Sequence, residues 1–120
     1  MINLGPFQRY FLYKENTDMR KSFNGLGGIV VNEVKKDLYS GDVFIFTNKR
    51  RDQIRLLVWD RDGFWVCAKR LEEGTFQIPE NNTDTSAIEL KWDTLMMMIE
   101  GINFERVSKR KRYSIPVQNQ

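Results

Sequence analysis

Residues 42–79, DVFIFTNKRRDQIRLLVWDRDGFWVCAKRLEEGTFQIP, constrain this chain most, because runs rich in Val, Ile, Phe and Trp alternate with short polar, charged or Gly-containing breaks. That spacing predicts a meander of four antiparallel strands. Two of the breaks, Asp60-Arg61-Asp62-Gly63 and Leu71-Glu72-Glu73-Gly74, place Gly where a three-residue hairpin loop takes a left-handed residue. Counting outward from the first pairs Phe64 with Asp60, Trp65 with Trp59, Cys67 with Leu57 and Lys69 with Arg55. Period-2 alternation then predicts a core face of Phe44, Phe46, Ile54, Leu56, Val58, Phe64, Val66, Ala68, Phe76 and Ile78. The opposite face carries Arg55, Leu57, Trp59, Trp65, Cys67 and Lys69, an aromatic and basic mixture that reads as a contact surface.

The flanks add helices. Residues 7–14, FQRYFLYK, read as a further strand at the sheet edge. From residue 17 the period changes, and Met19, Phe23, Leu26, Val30 and Val34 recur every three or four positions, which predicts an amphipathic helix over roughly 18–36. Asn16 or Thr17 is its expected cap, with Asp18 at the positive end of the helix dipole. Gly25, Gly27 and Gly28 call for close backbone packing or a kink. After a polar linker at 80–86 and a brief strand expected at 88–90, a short helix is expected at 91–100, with Trp92, Leu95, Met96 and Ile99 on one face. The expectation is an α+β fold: an antiparallel meander of about five strands packed on one amphipathic helix, plus a short C-terminal helix. A chain of 120 residues with 41% hydrophobic content suits one such domain, taken as residues 1–105.

Charge is unevenly placed. Residues 106–120 hold five of the 19 basic residues and none of the 16 acidic ones, so the remainder carries a net −2 within an overall +3. A near-neutral body with a basic, flexible tail (Arg106, Lys109, Arg110, Lys111, Arg112) points to an anionic partner, DNA first, or to a solubilising terminus. Cys67 is the only cysteine, so no disulfide framework exists, and a structural thiol is the simpler reading. No secretory leader or membrane-length apolar run is seen, so a cytoplasmic location is expected.

Catalytic options are few, because the chain has no histidine. No Gly-rich phosphate loop ending in Lys-Ser/Thr is present. Asp60 and Asp62 could hold a metal for phosphoryl transfer, yet their place in a turn explains both. The expectation is a non-enzyme with no metal and no cofactor. Arg55 opposite Lys69 would be unfavourable without an anion between them, and a phosphate would serve. Trp59 and Trp65 beside them, with the loop Lys49-Arg50-Arg51, suggest a strip that contacts phosphates and stacks on bases. The alternative is that the tryptophans cover a protein interface, either with a partner or in a homodimer.

Thr17-Asp18-Met19-Arg20-Lys21-Ser22-Phe23-Asn24-Gly25-Leu26 resembles the signature TDMRKxxDGL of the TnpB-type, or Orf2-like, accessory proteins of the insertion sequence 66 family of bacterial mobile elements. Further segments agree in order: Ser40-Gly41 with Phe44-Ile45-Phe46, Lys49-Arg50-Arg51-Asp52, Trp59-Asp60 with Gly63-Phe64, Lys69-Arg70-Leu71-Glu72 with Gly74 and Phe76, and Ile99-Glu100-Gly101-Ile102. Asn24 and Asn103 stand where the pattern has acids. The resemblance implies a small protein that supports transposition beside a separate transposase, with no established catalytic residues. The candidate DNA-binding set is therefore Arg20, Lys21, Lys49, Arg50, Arg51, Arg55, Trp59, Trp65, Lys69, Arg70, Lys109, Arg110, Lys111 and Arg112. The alternative function is an adaptor that docks the transposase or another accessory protein without touching DNA.

Overall fold

The computed structural model of the chain describes residues 4–80 and 83–100. Its elements are β1 (Tyr10–Tyr13), α1 (Phe23–Ile29) continued by a π-helical turn (Val30–Val34), β2 (Val43–Thr47), β3 (Gln53–Asp60), β4 (Gly63–Arg70), β5 (Ala87–Leu90) and α2 (Trp92–Glu100). The five strands form one sheet in the order β4-β3-β2-β1-β5, with β1 parallel to β2 and every other pair antiparallel. The fold is α+β.

The sheet is apolar on both faces. Tyr10, Leu12, Val43, Ile45, Ile54, Leu56, Val58 and Phe76 pack with Leu95 and Met98 of α2 on one side. Phe11, Phe44, Phe46 and Leu57 pack with Leu26, Val30 and Val34 on the other. Each such side chain contributes about 1.5–3 kcal/mol by leaving water, so both helices are held by burial rather than by intrinsic propensity. This overturns the expected single core face: β2 pairs Phe44 with Leu57 and Ile45 with Leu56, which puts Phe44 and Phe46 on the side opposite Ile54, Leu56 and Val58. Val43–Thr47 is buried at every position, the pattern of a central strand covered on both sides.

Three further departures have local causes. The segment at 7–14 contributes β1, not at the edge but between β2 and β5, because a helical crossover from β1 to β2 makes those neighbours parallel. The expected fourth meander strand does not form. Gly74 is left-handed (φ 77°), but the chain then leaves the sheet plane, and Phe76 (1% exposed) plugs the α2 side while its N–H donates to the Arg51 carbonyl at 2.7 Å. Finally, α1 begins at Phe23 rather than near residue 18, with Ser22 as its N-cap and neither Asn16 nor Thr17 capping it. Asp18 takes the intervening residues into a separate turn: its carboxylate accepts the Arg20 N–H at 2.9 Å and its carbonyl accepts the Lys21 N–H at 3.1 Å.

The β3–β4 hairpin corrects the register. Its loop is two residues long, the left-handed conformation falls on Arg61 (φ 57°), and Gly63 is already the strand residue facing Asp60. Relative to a three-residue loop, β4 slips by one position, so every side chain changes face. Arg55 faces Ala68, Lys69 faces Ile54, Trp59 faces Phe64 and Trp65 faces Val58.

Candidate nucleic-acid interface

One end of the sheet gathers the basic residues. β2 ends there at Thr47, β3 starts there at Gln53, β4 ends there at Arg70, and the chain after β1 returns there through the hydrogen bond from the Thr17 N–H to the Thr47 carbonyl, 2.8 Å. Arg20 and Lys21 therefore lie on the loop beside the β2–β3 loop that carries Lys49, Arg50 and Arg51, with Arg70 opposite Gln53. All six are exposed. A shallow groove separates the two loops, walled by Thr17, Asp18, Met19 and Arg20 on one side and by Asn48, Lys49, Arg50 and Gln53 on the other.

Both loops are braced. In the β2–β3 loop the Asn48 carboxamide oxygen accepts the N–H groups of Asp52 (3.1 Å) and Gln53 (3.0 Å), while its Nδ2 donates to the Asp52 carboxylate at 2.7 Å. Arg51 adopts the left-handed conformation at the loop's bend. In the other loop the Arg55 guanidinium donates to the carbonyls of Met19 (2.8 Å) and Lys21 (3.2 Å). Arg55 thus ties β3 to the loop before α1. Asp18 and Arg20 form a two-pronged ion pair at 2.7 Å with the Arg20 side chain 91% exposed. Hydrogen bonds from the Arg20 side chain, then from its backbone N–H, pull the Asp18 carboxyl down to about 2. The same pair raises the Arg20 guanidinium further above its ordinary value.

The aromatic strip expected beside these residues does not exist as one surface, because the register slip separates its members. Trp59 joins Tyr39, Phe64 and, through Phe64, Phe23 in an aromatic cluster on the α1 side, with ring centroids 4.6–5.3 Å apart. Trp65 lies on the α2 side, where its indole N–H donates to the Asp60 carboxylate at 2.9 Å. That bond, aided by Arg61, lowers the Asp60 carboxyl below its usual range. Lys69 also faces α2, and its Nζ donates to the Ile99 carbonyl at 2.8 Å. The postulated anion between Arg55 and Lys69 is therefore excluded by geometry: the two lie on opposite faces and each already binds backbone carbonyls.

Of the sequence candidates, Arg20, Lys21, Lys49, Arg50, Arg51 and Arg70 come together. Arg55 braces one of the loops, Trp59 and Trp65 lie near the hairpin tip away from this cluster, Lys69 bonds α2, and Lys109, Arg110, Lys111 and Arg112 lie outside the described residues. Asn48 was missed as the anchor of the basic loop, although Asn at a loop start is a recognised signal for side chain to backbone bonding. Nothing local in the sequence marks Arg55 as a brace. Among the described residues, no group of three or more His, Cys, Asp or Glu is placed to hold a metal ion, and no helix is long and apolar enough to cross a membrane.

The segments meeting at this end, Thr17–Lys21, Lys49–Asp52 and Lys69–Glu72, are among those that carry the family resemblance. Comparison agrees with it. The chain is 31% identical over 117 residues to an uncharacterized protein, y4jC, of Sinorhizobium fredii, covering 96% of this chain and 97% of that protein. A second uncharacterized protein of the same organism, y4hO, is 26% identical over 104 residues, covering 87% and 89%. No solved structure matches. The family model of IS66 Orf2-like proteins matches residues 8–109, nearly the whole described structure, and the chain accordingly belongs to the IS66 Orf2-like family of transposition accessory proteins.

Proposed function

We propose that the protein supports transposition by binding DNA through the basic end of its sheet. The observation that carries this reading is the convergence of Arg20, Lys21, Lys49, Arg50, Arg51 and Arg70, from three separate stretches of chain, at one end of the sheet, where Arg20, Lys49 and Arg50 line a groove between two braced loops. Exposed Arg and Lys on rigid loops meet phosphates with little ordering cost, and the counterions they displace drive association. Groups that contact phosphate give affinity rather than base readout, so the surface suits a factor that holds DNA for a partner that chooses the sequence.

The test is fluorescence anisotropy with labelled element-end DNA and unrelated duplex across a salt series. Replacing Lys49, Arg50 and Arg51 together by Ala should lower the slope of log affinity against log salt by about 2–3, close to one unit per lost contact. An unchanged slope would remove the β2–β3 loop from the interface. Absence of binding near physiological salt would reject the DNA reading and leave the adaptor role.

A further inference from the structure

The two edges of the sheet differ. β5 offers four residues, one of them the exposed Glu89, whereas β4 offers eight in unbroken register with β3. The pairing continues past β4 through the Leu71 N–H to the Asp52 carbonyl at 2.8 Å, which fixes the direction of every group in the strand. Gly63, Trp65, Cys67 and Lys69 turn their N–H and C=O toward β3, and Phe64, Val66, Ala68 and Arg70 turn theirs outward. Among the described residues no strand covers those outward groups.

Soluble proteins blunt such edges with charge, proline or a bulge. From Phe64 to Ala68 this strand has none of the three, and it is bordered by exposed Trp65 (38%) on one face and Val66 (40%) on the other. Within the span 62–70 its charges are polarised, with Asp62 at the hairpin tip and Lys69 and Arg70 at the far end; outside that span Arg61 stands between Asp60 and Asp62, and Glu72 lies 3.6 Å from Arg70. An antiparallel copy of the same strand is the complement of that pattern.

We infer that the β4 edge pairs with the β4 edge of a second copy, antiparallel about a two-fold axis at Val66, to make one continuous ten-stranded sheet. In that register the outward groups of Val66 meet those of the partner's Val66, Phe64 meets the partner's Ala68, and Arg70 meets the partner's Asp62, each contact occurring twice. Cys67 falls beside the partner's Trp65, and the offset strands keep the two Cys67 thiols apart. The two basic ends then lie at opposite ends of the joined sheet. The pairing stands or falls independently of DNA binding.

The experiment measures mass by sedimentation and amide exchange by NMR on the full chain over a concentration series. The pairing predicts a concentration-dependent dimer in which the Phe64, Val66, Ala68 and Arg70 amides gain protection as the dimer forms, while those of Trp65, Cys67 and Lys69 are protected throughout. Val66→Lys, which sets like charges across the axis, should weaken dimerisation by roughly tenfold or more, whereas Val66→Thr, which keeps the strand preference and the backbone bonds, should not. A monomer at every attainable concentration overturns the inference. So does a dimer that leaves the four outward amides exchanging freely, or protection of them in a species of monomeric mass, which would mean that the chain's own residues 101–120 cover the edge.

Discussion

The two ends of the sheet are built in different ways. At the hairpin tip, Asp60, Arg61, Asp62 and Gly63 are sequence neighbours, and their bonds stay within the hairpin: Trp65 to Asp60, and Arg61 to Asp60 at 3.5 Å. At the basic end, Thr17 meets Thr47 and Arg55 meets Met19 and Lys21, contacts that span 30 or more positions. A locally made tip can change without disturbing the rest. The basic end exists only while the sheet and the loop before α1 remain together, so its charge cluster is a product of folding.

The sharpest way to break that contrast is Arg55→Ala. Removing a charged donor that serves two carbonyls should destabilise the fold by about 2–3 kcal/mol in urea unfolding and weaken DNA binding, although the side chain does not face the groove. If stability held while affinity fell, Arg55 would itself be a DNA contact. Arg61→Ala at the tip is the counterpart, expected to stay within about 0.5 kcal/mol and to leave the salt slope of binding unchanged.

Next in size is Thr17→Val. Thr17 is 4% exposed, and its hydroxyl has no hydrogen-bond partner among the described residues. Exchanging that hydroxyl for a methyl of similar shape should stabilise the protein by about 1 kcal/mol, read from the urea midpoint. A loss of stability would show that the hydroxyl is satisfied, by water or by a ligand in the groove.

The smallest effects concern protons. Asp18 is held to about 2, chiefly by Arg20, so its carboxylate stays ionised well below the usual carboxylate range. Its contribution to folding is complete above the unfolded value near 3.9 and is lost as pH falls through about 2. Carboxyl NMR should find that low midpoint, and Arg20→Ala should return it toward about 4. At the tip, Trp65→Phe should raise the Asp60 midpoint by removing its main hydrogen bond. Equal midpoints for Asp18 in wild type and Arg20→Ala would show that the ion pair does not persist in solution.

Much was legible in advance because some signals are local. The apolar runs at 43–47 and 53–70, bounded by polar breaks, predict β2, β3 and β4, and the periodicity of Trp92, Leu95, Met96 and Ile99 places α2 within one residue of its start. The basic loop at 49–51 was identified as a loop. Phe76, by contrast, looked like a strand residue because its apolar neighbours alternate, yet its ring fills a gap beneath the sheet that no local pattern describes. Arg55 and Lys69 looked like an anion clamp because a one-residue difference in loop length was enough to put them on the same face.

The sequence by itself determined the family and, apart from the strand expected around Phe76, the kinds of element and their order, since apolar period, turn residues and motif spacing are properties of neighbours in the chain. Tertiary structure alone decided which face each side chain took, that β1 entered the sheet beside β2, and that Arg20, Lys21, Lys49, Arg50, Arg51 and Arg70 share one end. The physical reason is that strand side chains alternate with a period of two, so a single residue of slip at Arg61 inverts a whole strand. Only the burial of both faces under two helices selects which inversion is stable.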